Sequence, residues 1–549
     1  MRALFSIISI SSSALFPSPL FAEIQLPAIF GDHMVLQQEI GAPIWGWADP
    51  GESISISGSW GRRATAEADT NGKWMAFLDT PSHGGPYSVE IRGENRITLR
   101  NVLIGEVWLC AGQSNMGWRL SATMEGPQDA ASADFPDIRI FRSERAHSHQ
   151  PQEDVVAEWK VCDPASAATC SAVTFYFARK LQRKLGIPIG VVLQPYAGTP
   201  IEGWMPKKVQ LDDPRTLSAI QEADEESAKY DLAKAEAQLA RATEAWKRGE
   251  RRAQPKLRTP ANWGHQYPGN IFNGMIHPVR PFGIRGAIWY QGERNAKDVA
   301  QAANYERQLS LLIDYYRSSW NEFSNGNVSK NFPFYFVQLP SWLAEQSEPV
   351  EPDAAWAVSR DMMRRVANMV PNTGTAVSLD TGDAILLHPK DKKPIGIRLA
   401  YLALKGTYGK PIVDMGPIYQ SHKRVDDKLV LTFESVGSGL VTGKPGPLDS
   451  FAIAGQDRKF VWADATIKGD SIVLSAEGIS EPEAARYAWA MNPSKRNLLY
   501  NREGLPASPF RTDDWALYDA ENYVPAPQDK PVQPDGYSQS EVWRPTMTQ

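Results

Sequence analysis

The stretch Val107-Trp-Leu-Cys-Ala-Gly-Gln-Ser-Asn-Met116 decides the fold. Its first five residues, 107–111, carry no charge and read as a buried strand. Gly112-Gln-Ser-Asn115 then breaks the run, and the Gly-led turn holds the Ser114 hydroxyl at the strand's C-terminal end. Open parallel sheets build their sites along that edge. A Ser/Asn turn that only satisfies backbone groups has the same local sequence, so the rest of the chain must choose between the two.

Outward from this strand the pattern is α/β. Residues 171–185 are predicted helical, with Phe177, Leu181 and Leu185 at spacing four and Gly186 as the C-cap. Residues 189–193 read as the next strand, leading into Tyr196-Ala-Gly-Thr199. Further on, 284–290, 332–339 and 375–380 read as strands, and 305–317, 361–369 and 394–404 as helices. Strand, helix, strand in that order implies a parallel sheet with right-handed crossovers.

An Ala-, Glu- and Lys-rich segment, 222–252, interrupts the pattern. It sets Ala228, Leu232, Ala235, Leu239 and Trp246 along one face, which predicts a long amphipathic helix or a helical hairpin. Its terminal cluster Lys247-Arg-Gly-Glu-Arg-Arg252 suits a solvated helix end rather than a nucleic-acid patch. Before residue 105, alternation such as Ser53-Ile-Ser-Ile-Ser57, with turns at Asp49-Pro-Gly51, Asn71-Gly72 and Gly84-Gly85, predicts a small β-sandwich. After Gly416 short strands return, with Lys468-Gly-Asp470 as a hairpin turn.

With 549 residues, 42% of them hydrophobic and 22% charged, the chain is globular and holds several domains. A net charge of -5 argues against nucleic acid as the main partner. Residues 1–22 combine Met1-Arg2, an apolar run and Ala22 before Glu23, the pattern of a signal peptide, so the mature protein is expected to be exported, to the periplasm or beyond. No later segment reaches the ~20 apolar residues of a membrane span. Cys162 and Cys170 could pair in an oxidising compartment, while Cys110 reads as a core thiol. The 18 Trp suit a protein that handles sugars, although core packing accounts for Trp equally well.

Four strand ends carry polar motifs: Gly112-Gln-Ser114, Ala197-Gly-Thr199, Trp289-Tyr-Gln-Gly-Glu293, and the loop Asp380-Thr-Gly-Asp-Ala-Ile-Leu-Leu-His-Pro389. In a parallel sheet they converge on one edge, the geometry acyl transfer needs. A serine hydroxyl needs a base, and of eight histidines His388 alone lies in such a late loop. An oxyanion hole needs convergent N–H donors, for which the Ser114 amide, the Gly198 amide and the Gln291 side chain are candidates. Taken singly, Gly198 is an ordinary turn glycine and Gln291 a capping side chain; four such motifs in one sheet favour a site.

Gly112-Gln-Ser-Asn-Met116, Gly198-Thr-Pro-Ile-Glu202, Trp289-Tyr-Gln-Gly-Glu293 and His388-Pro389 together resemble the SGNH-hydrolase superfamily, and within it the sialate O-acetylesterase family. The likeness extends to Gly31-Asp-His-Met-Val-Leu-Gln37, Phe451-Ala-Ile-Ala-Gly455 and Ala507-Ser-Pro-Phe-Arg511. It implies an α/β fold with a three-layer parallel sheet, flanked by β-sandwich-like N- and C-terminal domains. The division is then 1–22 signal peptide, 23–104 N-terminal domain, 105–205 and 260–412 the two parts of the hydrolase domain, 206–259 helical insertion, and 413–549 C-terminal β domain.

The implied activity is hydrolysis of acetate esters on sugar hydroxyls, with Ser114 as nucleophile, His388 as base, and neither metal nor cofactor. Ser114, Gly198 and Gln291 would line the oxyanion hole, and Asn115, Glu293 and Arg294 would contact the O-acetylated carbohydrate. The sequence departs from the family where an acidic residue usually precedes the histidine: Ile385 and Leu386 stand there. Asp383 is the expected substitute, with Asp380 and Glu293 as alternatives, or a Ser–His dyad. Gly117 and Arg294 replace a Glu and a Ser common in the family. The sugar is a sialic acid or, alternatively, an acetylated xylan or xyloglucan; the missing acid also admits a carbohydrate-binding protein with a decayed esterase site.

Overall fold

One strand, Arg96–Gly112, organises the computed structural model, which describes residues 23–250, 253–352, 354–521 and 547. The proposed signal segment 1–22 lies outside the described residues. The early part of the strand pairs antiparallel with Gly84–Arg92. The later part pairs in parallel with Ile189–Pro195 on one side and Gly286–Tyr290 on the other. The strand therefore runs unbroken past residues 104 and 105, so the β-rich start and the α/β centre share one eleven-stranded mixed sheet.

Across the central sheet the order is Thr373–Ala376, Phe334–Val337, Gly286–Tyr290, Arg96–Gly112, Ile189–Pro195, Phe135–Arg142 and Trp159–Cys162. All neighbours are parallel except the last pair. The chain builds one flank of the long strand first and then crosses to build the other, which makes its C-terminal end a topological switch point. Period-two alternation divides the core. Val107, Leu109 and Ala111 join a cluster with Leu309, Tyr316 and Met363, from helices Val299–Phe323 and Ala355–Met369. Trp108 and Cys110 join another with Phe177, Leu181 and Leu399, from helices Ala172–Leu185 and Lys393–Gly406.

Local signals set the element ends. Ser171 caps Ala172–Leu185 by accepting from the Thr174 N–H, and Gly186, at φ +70°, ends it. The segment predicted as an insertion forms two helices rather than one: Pro214–Ala228 and Leu232–Lys247 are separated by three residues, and Asp231 caps the second by accepting from the Lys234 N–H. The predicted stripe is correspondingly broken, with Ala235 buried but Leu232 52% exposed. Gly84-Gly85, expected as a turn, lies inside Gly84–Arg92, where the register shifts.

The C-terminal part holds two four-stranded antiparallel sheets. They share a core of Leu429, Leu431, Ile472 and Leu474 with Phe451, Ile453, Tyr487 and Phe510. Cys110, Cys162 and Cys170 are buried free thiols, so the pairing of Cys162 with Cys170 does not occur. Among the described residues no helix is long and apolar enough to cross a membrane.

Candidate active site

The long strand ends at Gly112 with φ +143°, where a Cβ would stand 2.2 Å from the Tyr290 carbonyl oxygen, so only glycine fits. The Gln113 N–H donates to that same carbonyl at 2.9 Å. This fixes the turn into the short helix Ser114–Gly117 and sets Ser114, half-buried, at its first position. The loop after Ile189–Pro195 is tied to it: the Tyr196 N–H donates to the Gly112 carbonyl at 2.9 Å. Gly198 follows, exposed, at φ +73°, and an added Cβ would meet nothing within 4 Å, so its backbone faces open space.

His388 arrives on the loop before Lys393–Gly406. Its Nε2 and the Ser114 Oγ are 2.7 Å apart. The imidazole stacks on Trp118, with ring centroids 4.7 Å apart and planes at 15°. Burial, and secondarily the Lys392 charge, push the His388 pKa down to about 4, so at neutral pH the ring is uncharged and able to accept a proton.

Beneath the serine lies a buried polar network. Lys392, 1% exposed, donates from Nζ to the Asn115 Oδ1 at 2.5 Å. The Asn115 Nδ2 donates to the Glu293 Oε1 and, at 3.3 Å, to the carbonyl of Leu387, the residue before His388. Burial brings Lys392 down to about 7, against the opposing pull of Glu293 and Asp391. It raises the Glu293 carboxyl, whose Oε2 has no hydrogen-bond partner among the described residues. Asn115 and Glu293, expected to meet substrate, are thus buried and joined to each other. Arg294 is half-buried, with Nη2 donating to the Gln266 Oε1 at 2.7 Å.

Gln291 is also buried. Its Nε2 lies within hydrogen-bonding distance of the Thr199 carbonyl (3.0 Å), the Asn295 Oδ1 (2.9 Å) and the Gln113 Oε1 (3.2 Å), and its Oε1 accepts from the Tyr305 hydroxyl at 2.7 Å. Two amide hydrogens facing three internal acceptors leave none for an oxyanion, so this side chain braces the three loops.

The three acids considered for His388 are committed elsewhere. The Asp383 Oδ1 accepts from the Ile385 and Leu386 N–H groups, both at 2.8 Å, shaping the loop. Asp380 forms a buried bidentate pair with Arg398, at 2.7 Å on each oxygen. Glu293 is held by Asn115. Among the described residues no carboxylate hydrogen-bonds the His388 ring. The sequence reading missed Trp118 and Lys392. Trp118 stood in plain view four residues after Ser114, whereas Lys392 meets Asn115 across 277 residues and leaves no local signal.

The chain is similar to known carbohydrate esterases. Residues 104–239 and 244–405 match the family model described as carbohydrate esterase, sialic acid-specific acetylesterase. The sialate O-acetylesterase of Homo sapiens is 28% identical over 512 residues, covering 87% of this chain and 90% of that protein. Its Mus musculus counterpart is 28% identical over 520 residues, covering 87% and 92%. The crystal structure of a carbohydrate acetylesterase from Xanthomonas citri superposes with a TM-score of 0.75 at 33% identity, covering 90% of this chain and all of that one.

Proposed function

The chain belongs to the sialic acid-specific acetylesterase family of carbohydrate esterases, and from that membership we propose that it removes acetate from sugar hydroxyls through an acetyl-serine intermediate. The observation that carries the reading is the 2.7 Å contact between the Ser114 hydroxyl and a neutral, half-buried His388. Residues 105–205 and 260–412 are assigned as the catalytic domain, a three-layer sheet of SGNH type.

The Ser114 Oγ attacks the acetyl carbonyl carbon while its proton passes to the His388 Nε2. The Ser114 and Gly198 N–H groups receive the developing oxyanion, at a turn and at an open glycine whose conformations are fixed before substrate arrives. As the tetrahedral intermediate collapses, the bond to the sugar oxygen breaks and the Nε2 proton moves to that oxygen. Water then attacks the acetyl-enzyme, giving its proton to Nε2. The second collapse frees acetate and returns the proton to Ser114. Gln291, Asn115 and Glu293 act by positioning, Trp118 orients the imidazole, and Arg294 contacts the sugar. The sugar proposed is a sialic acid acetylated at its 9-hydroxyl.

Acetate release from an aryl acetate tests the chemistry. Ser114→Ala should lower kcat by about 10⁴-fold or more. Equal background rates for wild type and variant would leave a carbohydrate-binding protein with a decayed site. Acetate release from 9-O-acetyl sialic acid, compared with acetylated xylan and xyloglucan fragments, tests the sugar.

A further inference from the structure

Beside the catalytic loops a cavity of about 470 Å³ opens between the helical insertion and the α/β body. Ligand sites run from roughly 300 to 1,000 Å³, so the space is sized for a small molecule or a sugar unit. Its outer wall is the insertion helix Pro214–Ala228, through Thr216, Ala219 and Glu222. Its inner wall begins at Pro200, two residues past Gly198, and at Gln266, whose Nε2 donates to the Gly198 carbonyl at 3.3 Å. Arg294 also lines the space, and its backbone N–H donates at 3.4 Å to the Oε1 of Gln113, the residue before Ser114.

The floor is polar and already braced. The Glu202 Oε1 accepts from the Gln308 Nε2 at 2.6 Å, and its Oε2 from the Asn295 Nδ2 at 2.8 Å. Each carboxylate oxygen has a second acceptor position, the kind a sugar hydroxyl uses as donor. The charges lining the space nearly cancel. Arg215, Arg294 and Lys297 line it with Glu202 and Glu222, a difference of one charge, and the Arg215 guanidinium is held by the Ala300 carbonyl and the Tyr518 hydroxyl. A site built for an anion would show a clear excess of cations. Instead, forked donors and acceptors alternate around a braced carboxylate, which suits vicinal hydroxyls.

We propose that this cavity is a subsite for the neutral saccharide unit next to the acetylated one, and that the helical insertion exists to wall it. The proposal rests on the esterase reading above and adds that the substrate is an oligosaccharide rather than a free acetylated monosaccharide. Substrate then spans from Ser114 past Arg294, and the neighbouring unit contributes binding energy that a monosaccharide lacks.

The test compares kcat/KM, by released acetate, for one acetylated sugar offered free and offered linked to a neutral sugar. Wild type should favour the linked form by about tenfold or more, the discrimination a single filled pocket supplies. Ala219→Trp, a substitution at an exposed helix position, fills the cavity and should bring that ratio toward one. A wild type without preference, or a ratio that Ala219→Trp leaves intact, overturns the subsite while the esterase reading stands. Release from neither substrate, together with equal aryl-acetate rates for wild type and Ser114→Ala, overturns the esterase reading and the subsite with it.

Discussion

At the scale of single residues, the Ser114–His388 pair was legible because each closes an apolar run with a residue that turns and capping alone do not demand in that company. The polar support beneath them was not legible. Lys392 and Asn115 are brought together by the sheet, and no spacing in the chain announces it. Lys392 makes a sharp prediction about pH. Burial and its charge both disfavour the His388 cation, so the folded-state pKa lies below the ordinary 6.5 and the base form persists down to about pH 4. Lys392, at about 7, is charged throughout that acid range. The acid limb of kcat/KM should therefore fall near pH 4. In Lys392→Met it should rise, yet stay below 6.5 because burial remains; a limb that does not move would refute the charge coupling. Asp383 gives a second test. A carboxylate that steadies a catalytic histidine loses about 10⁴-fold in kcat as the amide. The Asp383 carboxylate serves the Ile385 and Leu386 N–H groups, a task an amide oxygen also performs. Asp383→Asn should accordingly keep kcat within about tenfold of wild type.

At the scale of elements, two glycines at neighbouring strand ends should fail differently. Gly112 is confined by the Tyr290 carbonyl, so Gly112→Ala forces the strand end apart and should cost about 1–3 kcal/mol, seen as a lowered Tm. Gly198 has open space around it, so Gly198→Ala meets only the strain of its positive φ, about 1–2 kcal/mol. Its effect should fall on catalysis, with kcat down by up to about 10²-fold as the amide leaves its position. Comparable Tm losses with kcat unchanged in both would contradict the division of roles. The same contrast explains which elements the sequence revealed. Helix Ala172–Leu185 announced its C-terminal end through Gly186. The apolar stripe of the insertion left one helix and a helical hairpin both open; the break between Ala228 and Leu232 depends on Asp231 capping a new helix, and spacing alone carries no mark of that choice.

At the scale of the whole molecule, the boundary read between residues 104 and 105 falls inside a continuous strand, because pairing partners change there while the strand itself does not. Glu106, wholly buried at that crossover, binds all sides together. It accepts from the Arg285 Nε (2.5 Å) and Nη2 (2.9 Å), from Gln37 (3.2 Å) and Gln38 (2.6 Å) of the β-rich start, and from the Tyr408 hydroxyl (2.8 Å) past the closing helix. Removing one partner of a buried ion pair leaves an uncompensated charge and costs about 3–5 kcal/mol. Arg285→Met does this to a carboxylate with no access to water. Denaturant unfolding of Arg285→Met should show that deficit against wild type at neutral pH. The loss should come in one transition, since the β-rich start and the sheet that carries Ser114 share the strand in which Glu106 lies. No measurable deficit, or an early transition that leaves acetate release intact, would mean that the carboxylate does not join the two parts.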